Sequence, residues 1–266
     1  MNEAKERPIL AFDTSTACLA GAVWDGNKVL SEVQSHAERN HSVQIVTKLQ
    51  ELLKESGVNR EELAGIAVGK GPGSYTGVRI AVSAAKTLAW AWRLPLVGVS
   101  SLEAIAFGAL HRGEAASLAG ADGHDWVLPI MDARRGQVYT GHYAHSAASG
   151  WTCCVPDGIR LMRDWVDEIA AKAAEAEGLV RTIRIAGDLS QHEGEAVRLK
   201  ELCAPSGVQV ELQPYDMEGR WLARLAYDRL SAGESDDVHT FVPNYTQLVE
   251  AEAKLLAKQR SEAGER

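Results

Sequence analysis

A glycine-rich stretch in the first third of the chain has the residue types of a phosphate-binding turn. It reads Gly69-Lys70-Gly71-Pro72-Gly73-Ser74-Tyr75-Thr76-Gly77-Val78-Arg79. Alternate glycines permit backbone dihedrals that are closed to other residues, and a helix that begins near Ser74 or Tyr75 would point free N–H groups into the turn. An anion can bind at such a place. The residues predicted to hold it are Gly71, Gly73 and Ser74.

The stretch matches neither of the two common phosphate-binding motifs. In a P-loop the lysine is followed by Ser or Thr, whereas Lys70 is followed by Gly71. The dinucleotide fingerprint requires a third glycine at the position that Ser74 occupies. Spacing alone therefore favours a tight strand-to-helix turn that lets backbones pack closely, with phosphate binding as the alternative.

Two aspartates end apolar strands and precede small or polar residues. Asp13 is followed by Thr14-Ser15-Thr16, and Asp132 is followed by Ala133-Arg134-Arg135-Gly136. Carboxylates at strand ends that face a cleft can hold a hydrated magnesium ion against nucleotide phosphates. Each aspartate can equally cap a turn. Asp13 and Asp132 are therefore candidates for a degenerate nucleotide site.

Other catalytic arrangements are incomplete. The segment Gly98-Val99-Ser100-Ser101-Leu102 approaches the nucleophile elbow of esterases, but Leu102 stands where the second glycine is needed. Ser100 with Glu103 fits a capping box that opens a helix. The sequence has no HxxxH pair and no CxxC spacing, so we predict no metal site and reduced cysteines.

The composition is that of a globular chain with an acidic balance. Of 266 residues, 45% are apolar and 24% are charged, and the formal net charge is −8. These values fit a globular class but not the basic surface that usually binds polyanions. If the chain acts on nucleic acid, a partner supplies the positive charge. No targeting peptide and no long apolar run are evident, so we expect a cytoplasmic protein that does not span a membrane.

Hydrophobic periodicity predicts a hairpin followed by alternating helices and strands. The turn residues Asp25-Gly26-Asn27 separate the two strands of the hairpin, Gly57 ends the first helix, and Pro95 ends the second. The predicted elements are strands at 9–13, 20–24, 29–33, 63–68 and 96–99, and helices at 42–56 and 78–92. This order predicts a mixed sheet covered by helices.

The pattern begins again after an Ala- and Gly-rich connection at 109–125. Strands are predicted at 127–132, 137–143 and 182–186, and helices at 159–175 and 216–230. Two halves of similar plan predict two lobes. The first lobe is predicted at 1–108, with a helix from about 214–232 that returns to it, and the second lobe at 109–213. The remainder, 233–266, is predicted as a C-terminal extension that is disordered in part because 250–266 is highly charged.

Four segments together resemble one protein family. They are Phe12 to Thr16, Gly71 to Arg79, Asp132 to Tyr139, and Pro243-Asn244-Tyr245 ahead of Glu250-Ala251-Glu252. Over about residues 8–255 the chain closely resembles the TsaB (YeaZ) family of bacterial tRNA threonylcarbamoyladenosine biosynthesis proteins. The resemblance implies the actin-like, or Hsp70-like (ASKHA), α/β fold, in which two lobes each contain a mixed sheet flanked by helices.

The resemblance also implies which paralogue this is. The catalytic paralogue, TsaD, carries an HxxxH motif on the helix that here reads Ser101 to Phe107 without histidine. The implied role is a non-catalytic scaffold that pairs with a TsaD-like transferase, joins a TsaE-like ATPase in a larger complex, and reaches tRNA only through that complex. No cofactor is certain, and weak ATP binding is the most that is implied. The sequence departs from the family pattern at Gln137 and at Thr246-Gln247.

Two helices of the first lobe are the predicted partner surface. The small side chains of 78–92 allow another helix to approach closely. The resemblance implies that 42–56 and 78–92 meet the same pair of helices on the paralogue as a four-helix bundle, or form a homodimer when the partner is absent. In the alternative, the apolar sides of both helices pack into the core of the chain itself. The predicted interface residues are Ile45, Leu49, Leu52, Val78, Val82, Ala85 and Ala89.

Three functions compete at this point. The scaffold is favoured. A free-standing, ATP-dependent small-molecule kinase of the actin-like fold would need a base and an adenine-binding glycine pair, where only Gly187-Asp188 is visible. A peptidase would need a metal pair or an activated nucleophile.

Overall fold

The structure is a computed structural model that describes residues 7–36, 41–112, 123–176 and 178–246. Strands and helices alternate along it much as the periodicity predicts. The strands are β1 Ile9–Asp13, β2 Cys18–Trp24, β3 Val29–His36, β4 Gly65–Gly69, β5 Leu96–Val99, β6 His124–Asp132, β7 Gln137–Ser146, β8 Gly150–Leu161, β9 Val180–Gly187 and β10 Gln209–Pro214. The helices are α1 His41–Ser56, α2 Tyr75–Trp92, α3 Ser101–His111, α4 Met162–Glu175, α5 Glu193–Cys203 and α6 Gly219–Ser231.

The first sheet has the order β3-β2-β1-β4-β5. The pairs β1/β2 and β2/β3 are antiparallel, whereas β1/β4 and β4/β5 are parallel. At the tip of the β2–β3 hairpin, the Asp25 carboxylate accepts hydrogen bonds from the backbone N–H groups of Asn27 and Lys28 at 2.9 and 2.8 Å. Gly26 adopts a positive φ of 95° there. The predicted hairpin is therefore confirmed, and its turn residues provide the reason.

The second sheet repeats the plan of the first. Its order is β10-β9-β6-β7-β8, with β6, β7 and β8 antiparallel and β6, β9 and β10 parallel. Read from the antiparallel edge, both sheets have their strands in the chain order three, two, one, four, five. The prediction of two mixed sheets flanked by helices is confirmed.

Three apolar clusters hold the layers together. One lies between the first sheet and helices α1 and α2, and another lies between the second sheet and helices α4 and α5. The third joins residues of both sheets to helices α3 and α6, so these two helices lie between the sheets. Burial of apolar area is the main stabilising contribution in such layers. Helix α6, the last helix of the described residues, packs against β1 and β2.

Several elements were not predicted or were placed differently. Strand β8, helix α5 and strand β10 had no clear signal in the sequence. The predicted helix at 159–175 begins only at Met162, because Ile159 to Leu161 continue β8 and pair with β7. The predicted connection at 109–125 is shorter, because α3 extends to His111 and β6 begins at His124. The middle of that connection and the predicted disordered tail lie outside the described residues.

Of the helices that the structure describes, none combines the length and the apolar character that a membrane crossing requires.

Candidate functional site

The two sheets face a common cleft of about 2010 Å³. The wall from the first sheet comes from the turn after β1 and the glycine-rich turn before α2. The opposite wall comes from the turn between β6 and β7 and from the segment between β9 and α5. Residues from both walls therefore face the same space.

Close packing explains the glycines of the turn before α2. A Cβ atom on Gly73 would lie 2.5 Å from the carbonyl oxygen of Ser15, and one on Gly77 would lie 1.9 Å from the carbonyl oxygen of Thr14. The Ser74 N–H donates to the Ser15 carbonyl at 2.7 Å, and the Thr14 hydroxyl donates to the Gly77 carbonyl at 2.7 Å. The glycines thus let this turn pack directly on the segment after β1, which supports the structural interpretation.

Asp13 is fully buried under the cleft floor. One carboxylate oxygen accepts a 2.5 Å hydrogen bond from the Ser15 N–H, and the other accepts a 2.5 Å hydrogen bond from the Ser101 hydroxyl. A Cβ atom on Gly69 would lie 1.5 Å from the second oxygen. The carboxylate therefore ties the end of β1 to β4 and to the start of α3.

The five residues of the predicted nucleotide site divide into two groups. Gly73, Ser74 and Asp132 line the cleft. Asp13 and Gly71 are buried and do not line it. A ligand that occupied the cleft in this arrangement would contact the first group only. The nucleotide site itself stays a prediction.

Asp132 has a partner that the sequence did not reveal. Its Oδ1 lies 2.9 Å from Nε2 of His192 and accepts a 3.2 Å hydrogen bond from the Arg134 N–H. His192 is buried, whereas the Asp132 side chain is 28% exposed and faces the cleft. Arg134 and Arg135 adopt left-handed backbone conformations with φ of 67° and 55°, as expected for a tight turn after β6. Because 60 positions separate Asp132 from His192, no local pattern signals this pair.

A second polar cluster joins the two lobes beside α3. The Ser100 hydroxyl caps α3 by accepting the Glu103 N–H at 3.0 Å and donates to Asp157 at 2.5 Å, so Ser100 is the helix cap as predicted. The Glu103 carboxylate does not complete the predicted capping box but bonds Trp151 instead. The Tyr143 hydroxyl donates to the other Asp157 oxygen at 2.6 Å, and the Trp151 indole donates to the Glu103 carboxylate at 3.3 Å. Burial raises the pKa of both carboxyl groups above their ordinary values.

The remaining candidate metal ligands and thiols do not cluster. Among the residues that the structure describes, no group of three or more His, Cys, Asp or Glu side chains could hold a metal ion. All four cysteines are free, with Cys18 and Cys203 buried and Cys153 and Cys154 exposed. The histidines other than His192 whose side chains the structure describes are His36, His111, His124, His142, His145 and His239, and none of them belongs to such a group.

The seven predicted interface residues of α1 and α2 face the core of the chain and not a partner, so this prediction is wrong. They are each at most 3% exposed and lie in the cluster between the first sheet and helices α1 and α2. Apolar burial accounts for this orientation, because the sheet itself presents an apolar face that the two helices must cover. A partner could contact only the opposite sides of these helices. The buried residues are Ile45, Leu49, Leu52, Val78, Val82, Ala85 and Ala89.

The outward sides of α1 and α2 are partly apolar. On α1, Val46 is 54% exposed, and on α2, Trp90 is 66% exposed. Between Tyr75 and Trp90, the outward side of α2 also exposes the small residues Ser83 and Thr87. Small residues on a helix surface permit close approach of a second helix. The outward surface of α1 and α2 is therefore the part of these helices that a partner can reach.

Two sheets of identical strand order, with helices between and outside them and a cleft at the strand ends, define the actin-like fold class. Among its members, the chain is similar to proteins from several bacteria that share one name. It is 35% identical to the tRNA threonylcarbamoyladenosine biosynthesis protein TsaB of Bacillus subtilis over 253 residues, which cover 95% of this chain and 99% of that protein. The chain belongs to the TsaB family.

Further comparisons agree with this assignment. TsaB of Escherichia coli is 35% identical over 143 residues, which cover 54% of this chain and 58% of that protein. The family model of TsaD, tRNA N6-adenosine threonylcarbamoyltransferase, matches residues 28–190. The solved structure of YeaZ from Pseudomonas aeruginosa superposes with a TM-score of 0.67 at 23% identity, covering 90% of this chain and 99% of that chain. That likeness concerns the fold.

Proposed function

We propose that this chain is a non-catalytic subunit in the formation of threonylcarbamoyladenosine in bacterial tRNA, at the adenosine beside the anticodon, and that it pairs with a TsaD-like transferase. The similarity to the Bacillus subtilis TsaB protein along nearly the whole chain supports a role in this modification. The match to the TsaD family model supports a common origin of this chain and the transferase. Because paralogues offer similar surfaces, a common origin favours pairing between the two.

The observation that carries the non-catalytic role is the packing of α3. This helix occupies the position at which the catalytic paralogue is expected to hold its metal ligands. Here Leu102, Ile105 and Ala106 are buried in the cluster between the sheets, and Glu103 accepts a hydrogen bond from Trp151. Side chains that pack between the sheets or bond to a neighbouring strand serve the structure rather than a metal.

The outward surface of α1, together with the outward side of α2 from Ser83 to Trp90, is the proposed contact with the transferase. Val46 and Trp90 supply exposed apolar area, and the small exposed residues Ser83 and Thr87 of α2 allow a helix of the partner to approach. In the absence of the transferase, the same surface would support a homodimer, because a two-fold pairing uses one patch twice. A TsaE-like ATPase would join the pair, tRNA would be bound by the assembled complex, and the complex would work in the cytoplasm.

A kinase-like enzyme is the second candidate function. The cleft and the Asp132 carboxylate that lines it favour it, because a carboxylate in reach of a substrate hydroxyl can act as a base. Against it, Asp13 is buried and bonded to Ser15 and Ser101, so it does not reach a cation in the cleft. We therefore propose at most weak ATP binding to the isolated chain.

Capture by the transferase tests the scaffold directly. The full-length chain is immobilised and incubated with the TsaD-family transferase of the same organism, and tRNA modification is measured with and without the chain by mass spectrometry of the nucleosides. We expect stable capture, modification only when both proteins are present, and no transfer by this chain alone. Val46→Glu should abolish capture while the far-ultraviolet circular dichroism spectrum stays unchanged.

Matched variants separate the interface from the core. Ala85→Glu introduces a charge at a fully buried position and should unfold the first lobe. Val197→Glu changes a residue on α5 that is 42% exposed and should leave capture intact. Threonylcarbamoyl transfer by the isolated chain would overturn the proposal. So would tight ATP binding that Asp132→Ala abolishes together with a kinase activity.

A further inference from the structure

Two exposed tyrosines lie against each other at the mouth of the cleft. Tyr75, at the start of α2, is 50% exposed, and Tyr245, near the end of the described chain, is 47% exposed. Their ring centroids are 5.5 Å apart with an interplanar angle of 35°, and both residues line the cleft. About half of each residue is thus exposed to solvent. The two residues of the pair are 170 positions apart in sequence.

The tyrosine pair is not needed to hold the C-terminal segment in place. Phe241 packs on Gly98 so closely that a Cβ atom there would lie 2.3 Å from the phenyl ring. The Lys86 ammonium donates to the backbone carbonyls of His239 and Phe241 at 3.2 and 2.7 Å. The Asn244 N–H donates to the Lys70 carbonyl at 2.7 Å. These contacts anchor the segment, so the exposed rings of Tyr75 and Tyr245 remain available to a ligand.

One arginine contacts the Tyr75 ring, and two more line the opposite wall of the cleft. The Arg79 guanidinium lies 5.1 Å from the centroid of the Tyr75 ring and donates to its hydroxyl at 2.6 Å. Arg134 and Arg135 are exposed and line the cleft from the other lobe. Within residues 7–36, 41–112, 123–176 and 178–246, none of the three forms a salt bridge. Their charges are free to attract an anion, although the chain as a whole carries −8.

We infer that this surface, formed by Tyr75, Tyr245, Arg79, Arg134 and Arg135, binds single-stranded RNA in the assembled complex. Exposed aromatic faces stack on unpaired bases, and arginines contact the phosphates between them. A paired helix would offer no free base face to the tyrosines, so an unpaired loop is the form of RNA that fits. The inference rests on the proposed function and names the part of the chain that contacts the RNA substrate.

The test measures RNA affinity and transferase capture on the same variants. The probe is a fluorescently labelled anticodon stem-loop RNA, titrated with the complex of this chain and the TsaD-family transferase. In the double variant Tyr75→Ala/Tyr245→Ala the dissociation constant should rise roughly tenfold or more. Phenylalanine at both positions should restore the affinity, because the rings can still stack. The triple variant Arg79→Ala/Arg134→Ala/Arg135→Ala should reduce the dependence of log Kd on log salt concentration.

The outcomes separate the two proposals. Arg163→Ala on α4 removes an exposed arginine elsewhere and should change neither readout. Unchanged RNA affinity in the tyrosine and arginine variants, with capture intact, would overturn this inference and leave the proposed function standing. Loss of transferase capture in the tyrosine variants would also overturn it, because the surface would then be a protein contact. Failure of the unmodified chain to capture the transferase would instead overturn the proposed function.

Discussion

The hydroxyl of Ser100 donates a 2.5 Å hydrogen bond to the carboxylate of Asp157 and so links the first turn of α3 to strand β8 of the other sheet. The same hydroxyl accepts the Glu103 N–H and therefore serves both as the cap of the helix and as a bond between the lobes. Asp157 also accepts a hydrogen bond from Tyr143 on β7. Loss of one hydroxyl group thus affects three elements.

Replacement of Ser100 by alanine should destabilise the protein by about 2 kcal/mol. The variant loses the cap of α3 and leaves the half-buried Asp157 carboxylate with one donor fewer. Urea unfolding followed by circular dichroism measures the change. Ser190→Ala is the matched control, because Ser190 also donates to an aspartate, Asp188, but on an exposed turn. Equal effects of the two substitutions would show that the link between the lobes contributes nothing beyond a surface turn.

The stability that Asp157 contributes should change with pH in the opposite direction to that of a carboxylate whose pKa is lowered on folding. Burial raises its pKa above the ordinary 3.8, although hydrogen bonds from Ser100 and Tyr143 and the charges of Lys70 and Arg160 lower it. The folded state therefore binds the proton more tightly than the unfolded state. The stability from this group is fully present below 3.8 and is lost as pH rises through the folded-state pKa.

Asp157→Asn tests this sign, because asparagine does not titrate. As pH rises from about 4 to about 7, the free energy of unfolding of the variant should increase relative to that of the unsubstituted protein. Urea titrations at a series of pH values give the difference directly. A difference that moves the other way would mean that the hydrogen bonds, rather than burial, dominate at Asp157.

His142 should destabilise the protein as it becomes protonated. It is 4% exposed, its ring centroid lies 4.3 Å from that of Trp126, and neither ring nitrogen has a hydrogen-bond partner among the described residues. Burial lowers its pKa from 6.5 to about 4, with the charge of Lys172 adding to the effect and that of Glu168 opposing it. Its contribution to stability is therefore present above 6.5 and is lost as pH falls through about 4.

The variant His142→Phe should not lose stability in this way as pH falls, because phenylalanine does not titrate. The difference between the two proteins should approach about 3 kcal/mol at the acid end, since each pKa unit corresponds to about 1.4 kcal/mol. Near neutral pH the variant should be at least as stable, because the apolar ring removes a buried group without a partner. Thermal unfolding at several pH values provides the measurement. Parallel profiles for both proteins would contradict the burial of a neutral imidazole.

Local sequence patterns predicted the elements of this fold better than the contacts between them. The hydrogen bonds that form the turn at Asp25-Gly26-Asn27 join residues at most three positions apart, so the local sequence alone predicts the hairpin. The continuous apolar run of β1 and the helical spacing of apolar residues in α1 and α2 likewise depend on neighbours along the chain. Strand β8 is different: it is the edge strand of its sheet, and its half-exposed residues leave no clear alternation of buried and exposed side chains.

The parts of the site that sequence reasoning missed all involve distant residues. The parallel strands β6 and β9 end at the same edge of the second sheet, Asp132 is the last residue of β6, and His192 lies in the segment after β9. The two side chains meet only because of this arrangement. The side of α2 that the sequence predicts as the partner interface faces the sheet of its own chain for a related reason. Spacing identifies an apolar side of α2, but whether that side faces a sheet of the same chain or a second protein depends on the sheet, which local spacing does not describe.

Gly98 should control the position of the C-terminal segment. On β5 its N–H donates to the Asp236 carboxylate at 2.8 Å, and its carbonyl accepts from Arg229 at 2.7 Å, while Phe241 lies over its Cα. A Cβ atom here would lie 2.3 Å from the Phe241 ring, a distance that no side-chain pair tolerates. Gly98→Ala must therefore displace either the phenyl ring or the strand.

We expect the ring to move, because β5 is held by its pairing with β4 and by the buried residues on both sides of Gly98. The cost should be about 1 to 3 kcal/mol, as for other overpacked sites. Amide hydrogen exchange should accelerate over residues 236–246 and stay unchanged in β4. Gly194→Ala, at a helical glycine where no described residue lies within 4 Å of the added Cβ, should show neither effect. Faster exchange throughout the first sheet of Gly98→Ala would mean that β5, and not Phe241, gives way.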